Sequence, residues 1–579
     1  MCGIYGITDN NPKLIQDYIN ICSHRGPDGS EVWASPDGQL TLGHNLLSIM
    51  DDPDSSMQPW KTPAGNYLVY NGEIFNYYEL KEKYKDKGFI GTTGCDTELL
   101  AWGLDTFGLN FIDEIDSMHG FAYYKVEQKE LWLSRDHAGI KPLYYAQIKQ
   151  GLIFGSEIKG MLDHVSGSKK IDDLAFSCMV HVGVNVTENT FFSNVKKLLS
   201  GETIIYDVAN KRIKNKKRNL IIPTNDHKFD VEEFRHITRE SVKMCSIGRR
   251  KIGIFLSGGL DSGMVAYEYG MLHNQTNTYT NKMEPNIIWR EDDHNDDHHK
   301  ALQLAQQFKF NHKIVTMTPQ LLKDFWDDSI YFMEQPVYNP SMAMYYYTNK
   351  FLSNDGIVIT LAGDMGDEVL GGYPKYWKFK NTNVKSWQGL VEQWMNRIKR
   401  PIQVSKHPIN RKDLCDYLMK NLPSELHNED DPVNSYMAMD CVTQVPEEFF
   451  IRNDTYGMAF GMEGRFPLAT KKFMKYALSI PSHEKIGNNK SDTKLLSKKA
   501  YADIFPNEIV NKHKTGWTAP VKGWIQNEEV TRNFYQKRIM QNDCLKDVVL
   551  RNNETQKSAI PAWIMREWAN KFNMNFDSK

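Results

Sequence analysis

The second residue of the chain has the groups needed for nucleophilic chemistry. Cys2 follows Met1 directly, and removal of Met1 would leave a thiol and a free α-amine on one residue. Because an α-amine has a pKa of about 7.7–8.0, it can accept the thiol proton near neutral pH. Position alone is weak support, since most second residues have no special role. Cys2 is therefore a candidate nucleophile that needs support from the rest of the sequence.

An asparagine followed by a glycine could stabilise the intermediate that such a nucleophile forms. Asn71 and Gly72 offer a side-chain amide and a closely approaching backbone N–H, and a tetrahedral oxyanion requires donors of this kind. The same pair is also typical of a type I′ hairpin turn, and its place among short apolar runs favours a separator between two strands. The residues alone leave both interpretations open.

A glycine-rich loop lies between an apolar strand and an expected helix. The strand at residues 251–256 runs into Ser-Gly-Gly-Leu-Asp-Ser at residues 257–262. Glycines let backbone N–H groups converge on phosphate oxygens, and a helix that begins there adds a favourable dipole. The Gly-Lys-Ser/Thr ending of a Walker A loop is missing. We therefore expect a phosphate loop of another kind rather than a generic turn.

The composition is that of a globular protein with sizeable cores. Of 579 residues, 41% are hydrophobic and 25% are charged. The formal net charge of −2 gives no electrostatic reason to expect nucleic acid or a membrane surface as a partner. No apolar run approaches the roughly 18–20 residues that cross a bilayer, and eight cysteines are sparse enough for a reducing compartment. We expect a soluble cytosolic (cytoplasmic) protein, and a homodimer remains open.

The spacing of apolar runs in the sequence changes near residue 210. Before it, short apolar runs separated by Gly, Asp and Asn predict a sheet-rich α+β domain with a helix near residues 79–87. After it, buried strands at residues 251–256 and 356–361 alternate with helical stretches, which predicts a doubly wound parallel sheet of the α/β class. From about residue 385 the chain reads as mostly helical.

Two charged runs invite functional interpretations that we do not favour. The basic run at residues 211–218 resembles a nucleic-acid patch, but the chain has no basic excess, so we expect a solvated hairpin or linker. The acidic and histidine-rich residues 291–299 resemble a metal cluster. They show no fixed ligand spacing, and we expect an amphipathic helix through about residue 308.

Five motifs in sequence order identify the N-terminal half by resemblance. Residues 1–7, 24–29, 71–76, 96–98 and 135–144 resemble the signatures of class II glutamine amidotransferases. The resemblance implies an N-terminal nucleophile glutaminase domain over residues 1–210, layered α/β/β/α, with Cys2 as the nucleophile. It also implies that Asn71 and Gly72 form the oxyanion hole. Glu73 and Asp96 would hold the glutamine α-ammonium.

One residue departs from that pattern in the glutamine pocket. Leu46 stands where the family carries an Arg that grips the glutamine α-carboxylate. An apolar side chain cannot replace a charge-assisted bidentate contact. Unless Arg25 or another nearby cation fills the role, we expect weak glutamine binding, with ammonia as a competitive nitrogen source.

The second half resembles the synthetase domain of glutamine-hydrolysing asparagine synthetases. Residues 257–262 resemble the pyrophosphate loop of ATP pyrophosphatases, and residues 362–373 and 452–467 resemble further signatures of the synthetase family. The resemblance implies a synthetase domain over residues 211–579 whose ATP-binding residues are Leu256, Ser257, Gly258, Gly259, Leu260, Asp261, Ser262, Asn281, Ala362 and Gly363. It implies Mg²⁺ on Asp261 and Asp367, since Mg²⁺ prefers carboxylate oxygens. Asp364 would lie beside the acyl-adenylate, and Lys494 would neutralise the leaving pyrophosphate.

The implied reaction is ATP-dependent amidation of aspartate to asparagine with ammonia from glutamine. Ala362 and Thr470 replace the family's usual Ser and Asp, while residues 512–517 with Pro520 and Trp524 match its closing signature. Two alternatives stay open. The same architecture could amidate another carboxylate, such as a small metabolite, a peptide or a glycan, or the chain could be a catalytically silent glutamine- and ATP-binding relative.

Overall fold

Two six-stranded antiparallel sheets form the N-terminal half of the protein. The computed structural model describes residues 2–284, 291–397, 402, 404, 408–511, 519–539 and 559–575. The strands of this half are β1 (Gly3–Ile7), β2 (Gly29–Ala34), β3 (Thr41–Leu46), β4 (Trp60–Lys61), β5 (Tyr67–Ile74), β6 (Ser117–Lys125), β7 (Glu130–Arg135), β8 (Tyr144–Ile148), β9 (Gly151–Gly155), β10 (Lys196–Lys197), β11 (Glu202–Asp207) and β12 (Arg212–Arg218). Their order is β10-β8-β9-β1-β3-β2 in one sheet and β12-β11-β7-β6-β5-β4 in the other.

Helices cover the outer faces of these two sheets. They are α1 (Pro12–Ile21), α2 (Pro53–Ser56), α3 (Tyr77–Tyr84), α4 (Asp96–Phe107), α5 (Phe111–Glu114) and α6 (Asp173–Val182). Ile4 and Leu42 of the first sheet are buried against Val69 and Leu133 of the second. Apolar residues of α3 and α4 pack on the second sheet, and those of α1 and α6 pack on the first. The α/β/β/α layering is confirmed, with more helix than the sequence indicated.

The basic run forms an exposed hairpin strand. Strand β12 pairs antiparallel with β11 across a register shift. Lys214 lies 2.6 Å from Glu130 and Lys216 lies 2.7 Å from Glu188, so neighbouring acids neutralise part of its charge. Lysines on an edge strand also oppose pairing with another chain. The hairpin interpretation is confirmed, and the sheet continues to Arg218, beyond the boundary expected at residue 210.

A five-stranded parallel sheet forms the centre of the C-terminal half. Its strands are β13 (Ile252–Phe255), β14 (Asn277–Met283), β15 (Asn311–Met317), β16 (Ile359–Leu361) and β17 (Glu463–Arg465), in the order β15-β14-β13-β16-β17. The order reverses at β13, which creates a crevice between the carboxyl ends of β13 and β16. The predicted doubly wound sheet is confirmed.

Helices surround this sheet and continue beyond it. They are α7 (Val231–Met244), α8 (Leu260–Leu272), α9 (Glu291–Gln307), α10 (Pro319–Asp324), α11 (Trp326–Met333), α12 (Met342–Asn354), α13 (Gly366–Val369), α14 (Pro374–Lys380), α15 (Trp387–Met395), α16 (Arg411–Asn421), α17 (Pro432–Val442), α18 (Ile451–Met458), α19 (Lys471–Ser479), α20 (Ser482–Lys485), α21 (Leu495–Tyr501), α22 (Asn507–Val510), α23 (Val521–Asn527), α24 (Glu529–Ile539) and α25 (Ala559–Lys571). Helix α9 confirms the helical interpretation of residues 291–299. Among the described helices, none has the length and apolarity to cross a bilayer.

The last described helix returns to the N-terminal half. Trp568 of α25 lies edge-on to Phe191 and Phe192, with ring centroids 5.5 and 5.3 Å apart. Beyond the helix, the carbonyl of Asn575 accepts a hydrogen bond of 2.9 Å from the N–H of Ile171. The C-terminal end of the described chain therefore packs against residues 171–192 of the N-terminal half.

A buried lysine lies within the helical part. Lys485, at the end of α20, is fully buried and donates a 2.7 Å hydrogen bond to the side-chain oxygen of Asn434 on α17. Burial lowers the pKa of Lys485 to about 7. Because its pKa in the unfolded chain is near 10.4, the unfolded state binds the proton more tightly between these values.

We expect the stability of the protein to reflect this lysine above neutral pH. As pH rises from 7 to 9, the wild type should gain up to about 1.4 kcal/mol of unfolding free energy per pH unit relative to Lys485→Met. Chemical denaturation at pH 7, 8 and 9 measures the difference, with exposed Lys490→Met as the matched control. Parallel pH profiles for wild type and Lys485→Met would contradict the assignment.

Candidate active site

A small cavity in the N-terminal half contains the predicted nucleophile. Its volume is about 30 Å³, and it is lined by Cys2, Leu46, Leu47, Ser48, Ile49, Met50, Ser56, Gln58, Tyr70, Gly72, Glu73, Cys95, Asp96 and Thr97. The free space beside Cys2 is therefore narrow.

The side chain of Asn71 holds the backbone of Cys2 in place. The backbone nitrogen of Cys2 donates a 3.1 Å hydrogen bond to the side-chain oxygen of Asn71. Burial raises the pKa of the Cys2 thiol, so the thiol needs a base to become a nucleophile at neutral pH. The nitrogen of the same residue is the nearest group that could serve, once Met1 is removed.

Asn71 and Gly72 lie inside a strand, and the turn interpretation is wrong. Strand β5 runs through both residues and pairs Asn71 with Gly120 and Gly72 with His119 of β6. A Cβ atom on Gly72 would lie 2.3 Å from the carbonyl oxygen of Met118, so only glycine fits. Close backbone approach, rather than a turn, accounts for this glycine. The side-chain nitrogen of Asn71 is buried without a hydrogen-bond partner, which leaves a donor beside Cys2.

The two predicted ammonium ligands line the cavity and differ in their partners. Asp96, the first residue of α4, accepts hydrogen bonds from the N–H of Ile74 at 2.8 Å and the hydroxyl of Tyr70 at 3.0 Å. Burial raises the pKa of Asp96 to about 6. Glu73 accepts a 3.0 Å ion-pair hydrogen bond from Arg465 of β17. Burial and the charge of Asp96 raise the pKa of Glu73, while Arg465 opposes that rise.

Leu46 lines the cavity, and Arg25 does not take the place of the missing arginine. Leu46 ends β3 and is 2% exposed. The fully buried guanidinium of Arg25 donates to Glu157 at 3.1 Å, to Asp454 at 2.9 Å and to the Cys2 carbonyl at 3.3 Å. Its donors therefore serve the protein itself, since leaving buried carboxylates unpaired is costly.

A larger cleft lies at the carboxyl ends of the parallel strands. It has a volume of about 650 Å³, and the ATP-binding residues predicted from the sequence line it, except Gly258. Gly258 has a φ of +67°, and a Cβ there would lie 2.5 Å from the carbonyl oxygen of Asp297 on α9. Its role is to turn the loop tightly against α9.

Hydrogen bonds within residues 257–262 hold the loop in a fixed shape. The hydroxyl of Ser262 accepts from the N–H of Ser257 at 3.1 Å and donates to the carbonyl of Gly259 at 3.1 Å. Gly259 is the N-cap of α8, so the loop ends at a helix N-terminus, where anions bind favourably. Gly363 packs against this loop, with its would-be Cβ 2.7 Å from the nitrogen of Ser262.

The predicted metal ligands and the predicted lysine converge at the loop. The ammonium of Lys494 contacts Asp261 and lies 2.6 Å from Asp367. Two carboxylates that share one cation at this distance are close enough to hold a hard divalent ion together, so the donor set fits Mg²⁺. Asp364 and Asn281 line the same cleft, and Thr348 donates a 3.1 Å hydrogen bond to Asn281.

Ala362 and Thr470, which replace the family's usual Ser and Asp, lie in different surroundings. Ala362 lines the cleft, and its N–H donates to the carbonyl of Arg465 at 3.2 Å. Thr470 is fully buried and caps α19 by accepting from the N–H of Phe473 at 3.3 Å. Because Thr and Asp both serve as N-caps, this exchange preserves the local structure. The closing signature at residues 512–517 lies outside the described residues, while Trp524 is fully buried in α23.

Several ionisable residues of the cleft were not assigned by the sequence analysis. Glu368 is buried, and burial followed by the charge of Asp367 raises its pKa to about 8. The guanidinium of Arg452 lies 3.9 Å from the ring centroid of Tyr345, with its Nε buried and without a hydrogen-bond partner. Lys375 lies 2.7 Å from Asp440. In the sequence, Glu368 follows Asp367 directly and Arg452 begins the motif of residues 452–467. These two features could have indicated both residues.

Comparison with known proteins matches both halves of the chain. Residues 1–217 match the glutamine amidotransferase domain family, and residues 233–568 match the asparagine synthase family. The glutamine-hydrolyzing asparagine synthetase 1 of Bacillus subtilis (strain 168) is 24% identical over 600 residues, covering 95% of this chain and 92% of that protein. The glutamine-hydrolyzing asparagine synthetase B of Escherichia coli (strain K12) is 23% identical over 547 residues, covering 91% and 83%. The chain therefore belongs to the asparagine synthetase family, as a glutamine-dependent ligase with an ATP-using synthetase domain.

Proposed function

We propose that the protein amidates aspartate to asparagine through a β-aspartyl-AMP intermediate, with ammonia released from glutamine. The observation that carries the proposal is the convergence of Lys494, Asp261 and Asp367 at the loop of residues 257–262. The donor reaction is assigned to the N-terminal domain, expected over residues 1–210, and the amidation to residues 211–579. The proposed setting is the cytoplasm, and a homodimer is a proposed assembly.

The donor reaction begins with the Cys2 thiol. Its sulfur attacks the carbon of the glutamine side-chain amide while the α-amine of Cys2 takes the thiol proton. The side-chain amide of Asn71 and the N–H of Gly72 stabilise the oxyanion. Ammonia leaves with the proton, and water hydrolyses the thioester to glutamate. Glu73 and Asp96 hold the glutamine ammonium during these steps.

The acceptor reaction takes place in the larger cleft. A carboxylate oxygen of aspartate attacks the α-phosphorus of ATP, and the bond to the β-phosphate breaks. The backbone N–H groups of residues 257–262 hold the phosphates, and Lys494 neutralises the leaving pyrophosphate. Ammonia, which reaches the cleft through an internal tunnel in this proposal, then displaces AMP from the acyl carbon, beside Asp364. Confinement of the acyl-adenylate makes this step effectively intramolecular.

Side chains at the acceptor end of the cleft suit an amino acid. Arg452 offers an unpartnered guanidinium nitrogen for a carboxylate. Asp261 and Asp367 would hold Mg²⁺, which supplies charge neutralisation at the phosphates when bound.

A second candidate keeps the chemistry and changes the acceptor. Arg397 also lines the cleft; its Nη2 pairs with Glu448 at 3.5 Å, and its Nη1 is buried without a hydrogen-bond partner. A second guanidinium favours an acceptor with a further anionic group, such as a larger dicarboxylate. Pyrophosphate release measured across candidate carboxylates, with ammonia supplied directly, separates the two candidates. Aspartate as the best substrate supports the first.

We expect Asp261→Asn to abolish pyrophosphate release with either nitrogen donor. The change removes one charge from the pair of carboxylates at the loop while keeping the size of the side chain. A pyrophosphate assay with aspartate and ATP measures the loss, with exposed Asp430→Asn as the control. Aspartate-dependent release near the wild-type rate would overturn the role of Asp261.

We expect Cys2→Ala to stop glutamine hydrolysis and to retain ammonia-dependent amidation, because the thiol never meets the acceptor carboxylate. Glutamate release and ammonia-dependent AMP formation are measured on the same preparation. Cys415→Ala, which removes a thiol far along the chain, should retain both activities. Loss of ammonia-dependent product in a folded Cys2→Ala variant would contradict a model of two separate sites.

A further inference from the structure

The donor cavity has an unusual balance of charge for a site that binds a zwitterion. Its lining includes two carboxylates, Glu73 and Asp96, and no Arg, Lys or His within the described part of the chain. Glutamine brings one ammonium and one carboxylate. The ammonium has partners in this cavity, whereas the carboxylate would meet two like charges.

The buried arginines near the cavity are committed to other carboxylates. Arg465 pairs with Glu73 and with Glu463, and its Nη1 donates to the carbonyl of Cys245 at 3.0 Å. Arg25 pairs with Glu157 and Asp454. Turning either guanidinium toward a ligand would leave a buried carboxylate without its partner, which typically costs several kcal/mol.

Arg250 donates to the carbonyl of the lining residue Ser48 at 2.8 Å, but it is paired with Asp28 at 2.6 Å. A further positive group is the α-amine of Cys2, and the proposed reaction requires it to be neutral. A protonated amine cannot take the thiol proton, and burial already raises the pKa of that thiol. The amine therefore cannot act both as the base and as the permanent partner of a substrate carboxylate.

Leu46 puts an apolar side chain where an arginine would contact the glutamine α-carboxylate. It is 2% exposed and lines the cavity at the end of β3. A carboxylate against its isobutyl group would lose its water without gaining a hydrogen bond, which is unfavourable. A donor without a carboxylate avoids this cost.

We propose that the donor site takes cationic amides, which carry an ammonium at the position of the glutamine α-amine and no carboxylate, at least as well as glutamine. The inference rests on the proposed roles of Cys2, Glu73 and Asp96. The chemistry is that of glutamine: the thiol attacks the amide carbon, ammonia leaves with the thiol proton, and water converts the thioester to a carboxylate and the free thiol. No further reactant is needed.

The test compares two donors on one enzyme. Ammonia release is measured with L-glutamine and with 4-aminobutanamide, which is glutamine without its α-carboxylate. We expect kcat/KM for 4-aminobutanamide to equal or exceed that for glutamine in the wild type. In Leu46→Arg, kcat/KM for glutamine relative to that for 4-aminobutanamide should rise by about 10- to 100-fold, because a charge-assisted contact usually contributes that much. Ile90→Arg, which adds the same cation at an 80% exposed position, should leave the ratio unchanged.

The outcomes separate the inference from the proposed function. A wild-type preference for glutamine of tenfold or more overturns the inference and leaves the glutaminase role of Cys2 standing. No ammonia release from either donor, by an enzyme that amidates with free ammonia, overturns the glutaminase role and the inference together. The wild-type comparison needs no variant, so it decides the question even if Leu46→Arg does not fold.

Discussion

Arg465, whose guanidinium is buried, connects the two halves of the protein and contacts both functional sites. Its Nη2 lies 3.0 Å from Glu73 in the donor cavity, and its backbone carbonyl accepts a hydrogen bond from Ala362 in the ATP cleft. A fully buried charge is tolerated only when its partners are in place. The position of β17 therefore fixes the donor carboxylate and the edge of the phosphate site at the same time. Arg25 and Asp454 form a second such crossing beside Cys2.

The cleft and the donor cavity have opposite electrostatic requirements. In the proposed reaction the cleft holds polyphosphate, and Lys494, Lys375 and Arg452 lie along it together with a loop of backbone N–H groups. Two of its acids, Asp261 and Asp367, already share a cation. The donor cavity holds carboxylates whose pKa values burial raises, opposed by the charge of Arg465 at Glu73 and by hydrogen bonds from Ile74 and Tyr70 at Asp96. In the proposed function each arrangement suits a ligand of opposite charge.

Much of this architecture was predictable from local patterns. The loop at residues 257–262 follows a buried strand and precedes a helix, and this local order is enough to predict its place at a sheet edge. Asn71 and Gly72 were misplaced in a turn because the reason for the glycine, the carbonyl of Met118 on a neighbouring strand, is distant in sequence. The partners of Glu73, Arg25 and Lys494 are likewise set by tertiary contacts. The raised pKa of Glu368 could not be predicted, because it arises from burial that the sequence does not show.

The return of helix α25 to the N-terminal half has a consequence for the order in which the protein is made. Ile171, Phe191 and Phe192 belong to a domain that the ribosome completes early, yet they are covered by Trp568 and by the backbone of Asn575. Domains generally fold as units during synthesis, with N-terminal units first. This apolar surface must therefore wait for several hundred residues of chain before it is covered. During that interval the nascent protein exposes apolar surface, and such surface favours aggregation.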